Sequence, residues 1–204
     1  MKQVSLHDCD ALSAALSLLQ DKNDSVLLVP TETVYGLICD ASSDSAKERI
    51  YQLKHRPANK LLAIFLPDLD SAGDFAVQIP PLAAAFAEKF CPGPLTLVIP
   101  DGKGGTFGFR IPDHPFVLAL LRAYGKALAS TSANLSGTPA ALSTAEALAT
   151  IDGEPDLTVD GGVIPADSLA STVVQILDDH TWKILRQGPV TEAQLQEAAA
   201  SLER

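Results

Sequence analysis

PTETVYGL, residues Pro30–Leu37, followed after a connector by KHRPANK, Lys54–Lys60, is the stretch around which the chain is organised. Before it, Ser25-Val26-Leu27-Leu28-Val29 is a short apolar run containing β-branched residues, which predicts a buried strand. Pro30 has no N–H to give a ladder, so it ends that strand and starts a turn. Thr31, Glu32, Thr33 and Tyr35 then place hydroxyls and a carboxylate at the strand's carboxyl end, where open α/β sheets hold their ligands. Asp44–Lys54 predicts a helix with Ala46, Ile50 and Leu53 on one face and a capping box from Ser45 and Glu48. Pro57 stops it, and Lys54, Arg56 and Lys60 gather at its exit. From Lys47 to Lys60 there are five Lys/Arg and a single Glu, in a chain of net charge −10. A cationic island in an acidic chain points to an anion site. Basic residues at a helix C-terminus also complement its dipole, so charge pattern alone leaves both readings open.

Working outward, Leu12, Ala15, Leu16 and Leu19 repeat at helical spacing and predict a helix over 6–20. Strands are predicted over 61–66, 94–99, 106–111, 128–132, 171–177 and 182–185. Helices are predicted over 82–90, 115–124 with Gly125 as cap, 143–149 and 191–202. Gly102-Lys103-Gly104-Gly105 lacks the spacing of a phosphate-binding loop and reads as a mobile loop. Strands and helices interleave, so the expected class is α/β: a single domain over 1–204, with a core of about 6–188 and a C-terminal helix over about 191–202. The expected architecture is a twisted, mostly mixed sheet flanked by helices, with a concave basic ligand site.

Of the 204 residues, 47% are hydrophobic and 20% charged, the balance of a folded globular chain. No apolar run reaches the ~18 residues of a membrane helix, and MKQVSLHDCD is too polar for a secretory signal. Cys9, Cys39 and Cys91 are odd in number and far apart, which suits buried thiols in a reducing cytosol better than a disulfide framework or zinc site. The acidic balance argues against broad non-specific nucleic-acid affinity.

No zincin motif, Cys/His cluster, nucleophile elbow or dinucleotide fingerprint is present, so covalent and metal-cage chemistry are poor readings. His55 reads as a surface histidine. Thr31 and Thr33 either hold a small ligand or satisfy backbone groups in the turn. Arg110, flanked by Phe109 and Ile111, leaves the opposite face of its strand and can offer a planar fork to a carboxylate; an exposed strand arginine is the plainer alternative. Ser130, Ser132, Asn134 and Ser136 crowd a strand-to-loop junction, able to wrap a phosphate or ribose or simply to build turns.

Four segments in register, PTETVYGL, KHRPANK, Arg110–Pro115 (RIPDHP) and Ser130–Gly137 (STSANLSG), resemble the YrdC-domain family, whose catalytic members are threonylcarbamoyl-AMP synthases. The likeness runs from about Leu12 to Gly188 and is of the short bacterial type, without the additional C-terminal domain of longer members. It implies a nucleotidyltransferase reaction of L-threonine, bicarbonate and ATP, giving threonylcarbamoyl-AMP and pyrophosphate for modification of tRNA adenosine. By resemblance, Lys54 and Arg56 are catalytic. Thr33, Arg110, Ser130 and Ser171 hold L-threonine; Arg56, Lys60, Thr106, Ser132, Asn134 and Arg186 hold ATP. Mg²⁺ comes with ATP, and no all-protein metal site is implied. Transient partners are threonylcarbamoyl-transferase proteins, with weak tRNA contact left open, no membrane, and a cytoplasmic location.

Two positions depart from the family pattern. Phe65 stands where many relatives have a histidine, and Ala140 where several have a serine, so neither is assigned a role. The alternatives are a non-enzymatic RNA-binding or ribosome-maturation module, and a paralogue with a changed ligand. The complete STSANLSG and the basic pair Lys54 and Arg56 disfavour the paralogue, and the acidic charge disfavours the RNA module.

Overall fold

The structure, a computed structural model, describes residues 2–202. Strands β1 (Lys2–Ser5), β2 (Leu27–Val29), β3 (Gly36–Asp40), β4 (Ala63–Phe65), β5 (Leu95–Pro100), β6 (Thr106–Arg110), β7 (Leu128–Ser132), β8 (Leu157–Asp160), β9 (Thr172–Ile176) and β10 (Trp182–Arg186) form one 10-stranded sheet. Its order is β1-β8-β2-β3-β7-β4-β6-β5-β9-β10, with parallel and antiparallel pairs mixed. Helices α1 (Ala11–Asp21), α2 (Asp44–Lys54), α3 (Pro81–Phe90), α4 (Pro115–Tyr124), α5 (Thr144–Thr150) and α6 (Glu192–Ala200) cover it, with a 3₁₀ turn at Asp70–Phe75.

Because paired residues of neighbouring strands point to the same face, the register divides the sheet. One face carries Leu28, Leu37, Ala129, Phe109, Leu97 and Val174. It is buried under α2 and α5 at one end and α3 and α6 at the other. The other face carries Leu27, Val29, Ile38 and Leu128, which pack under α1 and α4. Along that same face Phe65 of β4 still joins the cluster under α4, but among the described residues no helix follows over β6, β5, β9 and β10. The register there presents Ser130, Ala63, Arg110, Gly108, Thr96 and Val173 instead. A sheet face with half its helical cover missing is a trough, and this one is the floor of the cleft described below.

Some predicted boundaries shift. The first helix begins at Ala11, not residue 6, because Lys2–Ser5 pairs with β8 as an edge strand and residues 6–10 turn away from it. The cap of α2 is Ser43, whose hydroxyl accepts from Ala46 N at 3.1 Å, and not Ser45. Residues 101–105 form a turn in which Asp101 Oδ1 accepts from the backbone of Lys103 and Gly105, both at 2.8 Å. Strands β1, β3 and β8 were not anticipated. Gly125 caps α4 at φ 70°, as its spacing predicts.

Candidate active site

The cleft has two lobes. The first, of about 230 Å³, lies over the open sheet face and is bounded by Thr33, Arg110, Ser130 and Ser171. The second, of about 300 Å³, lies beside it and is bounded by Lys54, Lys60, Asn134 and Ser136. Arg56, Ser132 and Arg186 border both, so the lobes are adjacent.

The turn after Pro30 divides its threonines between two tasks. Thr31 Oγ1 donates to Val34 O at 2.6 Å and accepts from the backbone N–H of Thr33 and Val34, closing the turn. The Thr31 hydroxyl lies 2.9 Å from Thr33 Oγ1. Arg110 Nη1 and Nη2 both donate to it at 3.1 Å. Arg110 is 5% exposed and further fastened by Nε to Gly93 O at 3.0 Å and Nη2 to Glu32 Oε1 at 2.6 Å. The Phe65 ring lies beneath it, 5.8 Å from the guanidinium carbon. Tyr35 points elsewhere: its hydroxyl donates to Gly162 O at 2.7 Å.

The second wall is built by cations folding the backbone around themselves. Arg56 donates from Nε to Lys60 O at 2.9 Å and from Nη2 to Leu61 O at 2.7 Å, wrapping residues 57–61 over the end of α2. Lys54, the last residue of α2, is 1% exposed and donates to Ser132 O and Asn134 O. Asn134 Nδ2 donates to Leu135 O and Thr138 O, both at 2.8 Å, which closes the 134–138 turn and fixes its amide orientation. Asn134 Oδ1 and Ser136 Oγ remain buried without a partner. At the far side, a register shift in β10 turns Arg186 into the cleft, where Nε and Nη2 grip Ser171 O at 3.0 and 2.8 Å. Thr106, at the start of β6, lines the first lobe.

Electrostatics follow from this crowding. Burial, aided by Arg56, pulls Lys54 down to about 7. Burial lowers Arg56, and burial together with the charges of Arg110 and Arg56 lowers Arg186. Cations that depress one another's protonation across a shared cavity create a place for anionic charge.

Every residue to which the resemblance gives a role borders this cleft: Thr33, Lys54, Arg56, Lys60, Thr106, Arg110, Ser130, Ser132, Asn134, Ser171 and Arg186. His55 does not; it caps α2 at φ 47° and pairs with Asp152 at 2.7 Å on the surface. Thr96, hydrogen-bonded to Ser171 Oγ at 2.8 Å, escaped the sequence reading, and Glu32 was placed at the ligand end of its strand without a partner or a role. Glu32 stands within the quoted TET, yet its partner is 78 residues away. Phe65 and Ala140, the two departures, border the first and second lobes.

Fold and cleft together define an α/β protein with a small polar lobe joined to a cationic one. Residues 21–188 match the Sua5/YciO/YrdC family model, described as telomere recombination, and the chain belongs to that family. Threonylcarbamoyl-AMP synthase of Bacillus subtilis (strain 168) is 33% identical over 204 residues, 95% of this chain and 58% of that protein. The synthase of Shigella flexneri is 36% identical over 141 residues, 64% of this chain and 73% of that protein. The structure of P. abyssi Sua5 complexed with L-threonine superposes with a TM-score of 0.84 at 28% identity, covering 97% of this chain and 60% of that one. E. coli YciO shares the fold, with a TM-score of 0.79 at 23% identity over 95% of this chain and 97% of that one. The chain thus spans a little under two thirds of the Bacillus and P. abyssi proteins. No described helix is long and apolar enough to cross a membrane.

Proposed function

We propose that this chain is a threonylcarbamoyl-AMP synthase, converting L-threonine, bicarbonate and ATP to threonylcarbamoyl-AMP, pyrophosphate and water. The observation that carries the reading is the pairing of lobes: Arg110 and Thr33 in a small polar pocket, opening directly onto a wall of Lys54, Arg56, Lys60 and Arg186. The curated relatives named for this activity and the threonine-bound P. abyssi structure support it.

L-threonine lies in the first lobe, its carboxylate on Arg110, with Ser130 and Ser171 beside it. Its amine attacks the bicarbonate carbon and, with loss of water, becomes a carbamate. The carbamate oxygen then attacks the α-phosphorus of ATP, whose phosphates line the second lobe against Arg56, Lys60 and Arg186. The P–O bond to the β-phosphate breaks and pyrophosphate leaves. The charge that grows on the α-phosphoryl oxygens and the leaving group is met by guanidinium and ammonium groups already in place, and positioning with neutralisation is the larger part of such catalysis.

Mg²⁺ belongs to the nucleotide in this reading. The wall is cationic, so the ion would be held mainly by phosphate oxygens. Asn134 Oδ1 and Ser136 Oγ are the unpartnered neutral oxygens that this chain adds there. Bound, the ion withdraws charge from the phosphates. The product is labile and passes to threonylcarbamoyl-transferase proteins for tRNA modification in the cytoplasm.

Pyrophosphate release from ATP tests the proposal. It is expected only when L-threonine and bicarbonate are both present, with L-serine a poor substitute. Release independent of the amino acid, or none from folded protein that binds ATP, overturns it.

A further inference from the structure

We propose that Glu32 is the positioning residue of the first lobe: it fixes the Arg110 guanidinium so that a single Nη1 N–H faces the ligand. A guanidinium has five N–H groups. Here Nε goes to Gly93 O, one Nη1 hydrogen and one Nη2 hydrogen go to Thr33 Oγ1, and the other Nη2 hydrogen goes to Glu32 at 2.6 Å. Both two-pronged edges of the group are therefore taken by the protein. Left over is one Nη1 N–H, so Arg110 meets a ligand carboxylate as a single fixed donor and not as an open fork.

Glu32 is the anionic member of this set. Its pairing with Arg110 is the shortest of the four contacts, and the two side chains are 18% and 6% exposed. The same Oε1 accepts from Asp113 N at 2.9 Å, so one carboxylate oxygen ties the 30–35 turn to the loop between β6 and α4. The distance between Thr33 and Arg110 is set by that tie. Arg110 also faces Arg186 across the cleft, close enough to depress its protonation. Without Glu32 the two guanidiniums repel with no carboxylate between Arg110 and solvent, and Arg110 gains freedom to turn. A buried ion pair with one partner removed leaves the other charge uncompensated.

The test uses the intact chain and separates this proposal from the functional reading on which its ligand rests. Glu32→Gln keeps the shape and the acceptor oxygen while removing the charge. First, the Nε–H resonance of Arg110, assigned with Arg110→Lys, is followed without ligand. In Glu32→Gln it should lose its distinct shift and slow exchange. Second, calorimetry should give about tenfold weaker L-threonine binding in Glu32→Gln, within the range of couplings between contacting residues, with ATP affinity within about twofold. Third, Glu32→Gln added to Arg110→Ala should cause no further loss, because Glu32 acts through Arg110. An unmoved Arg110 resonance with unchanged threonine affinity overturns the proposal. So do losses that multiply in the double variant, which would put Glu32 on the ligand itself. If the parent protein binds no L-threonine yet Arg110 responds to Glu32→Gln, the positioning stands and the synthase reading falls. Should Glu32→Gln not fold, Glu32→Asp keeps the charge on a shorter arm and gives the same three readouts.

Discussion

Lys54 holds a proton that its surroundings resist. It is the last residue of α2, nearly inaccessible, and its neighbours are two carbonyls and Arg56, not a carboxylate. Burial is the main reason that it titrates near 7, and Arg56 adds to it. In the unfolded chain the same amine titrates near its ordinary 10.5. Between these values the unfolded state binds more protons, so the contribution of Lys54 to stability rises with pH across the window and the cost of the buried charge is complete below it. Lys54→Met lacks the group, so the parent should gain stability relative to the variant by about 1 kcal/mol per pH unit from about pH 7.5 to about pH 9.5. Melting temperatures of both proteins across that range read it directly; a constant gap would show that the amine stays charged. The neutral amine still has two hydrogens for Ser132 O and Asn134 O, so the STSAN segment keeps its shape. The sequence announced Lys54 through its charge and position but could not show that it is buried. Burial depends on β7 and the 134–138 turn, which arrive roughly eighty residues later. The partner of Glu32 was hidden for the same reason. A carboxylate beside two threonines is ordinary until Arg110 comes within 2.6 Å.

At the scale of elements, helices were legible where their signals are local. Gly125 after 115–124, Pro81 before 82–90 and the apolar face of 44–54 are each decided within a few residues. Strands β1 and β8 were not, because KQVS and LTVD are short, half-polar runs that become strands only by pairing, KQVS with LTVD and LTVD also with β2. β3 was missed because its residues follow a turn directly, and of its two neighbours only β2 is near in sequence while β7 arrives at 128–132. The start of α2 shows how a local signal misleads. Ser45 and Glu48 have capping-box spacing, yet Ser43 has the extended backbone of a cap, with φ −87° and ψ 107°. Ser43 Oγ also accepts from Ala46 N. Ser43→Ala should therefore cost about 1 kcal/mol, a drop of about 2–4 °C in melting temperature. Ser45→Ala, which loses a contact to a neighbouring hydroxyl and no cap, should cost less than half of that. Equal effects would return the cap to Ser45. Since α2 ends at Lys54 and feeds Arg56 and Lys60 into the cleft, a frayed start shortens the helix without moving its functional end.

For the whole molecule, the telling quantity is where charge sits relative to cover. The chain carries −10 overall, yet the half of the sheet face that lacks helices is rimmed by Lys54, Arg56, Lys60, Arg110 and Arg186. An acidic exterior around a basic recess repels an extended polyanion and admits a short one that fits inside. It also means that the cations face each other across low-dielectric walls, where salt screens them less than it screens charges on an open surface. These two consequences separate a nucleotide site from an RNA platform. ATP binding, followed by calorimetry from about 0.05 to about 0.2 M salt, should weaken by less than about tenfold, because few phosphate charges are matched and most contacts are recessed. L-threonine, a zwitterion, should hardly respond. A surface that tracked an RNA backbone through six or more phosphates would instead lose about a thousandfold over the same range. Filter binding of unmodified tRNA under the same salts supplies the comparison, and the expected result is no retention at the higher concentration. Retained tRNA with a steep salt slope, together with ATP binding that collapses in parallel, would mean that the recess is one end of a nucleic-acid track, and the division of the cleft into amino-acid and phosphate lobes would have to be abandoned.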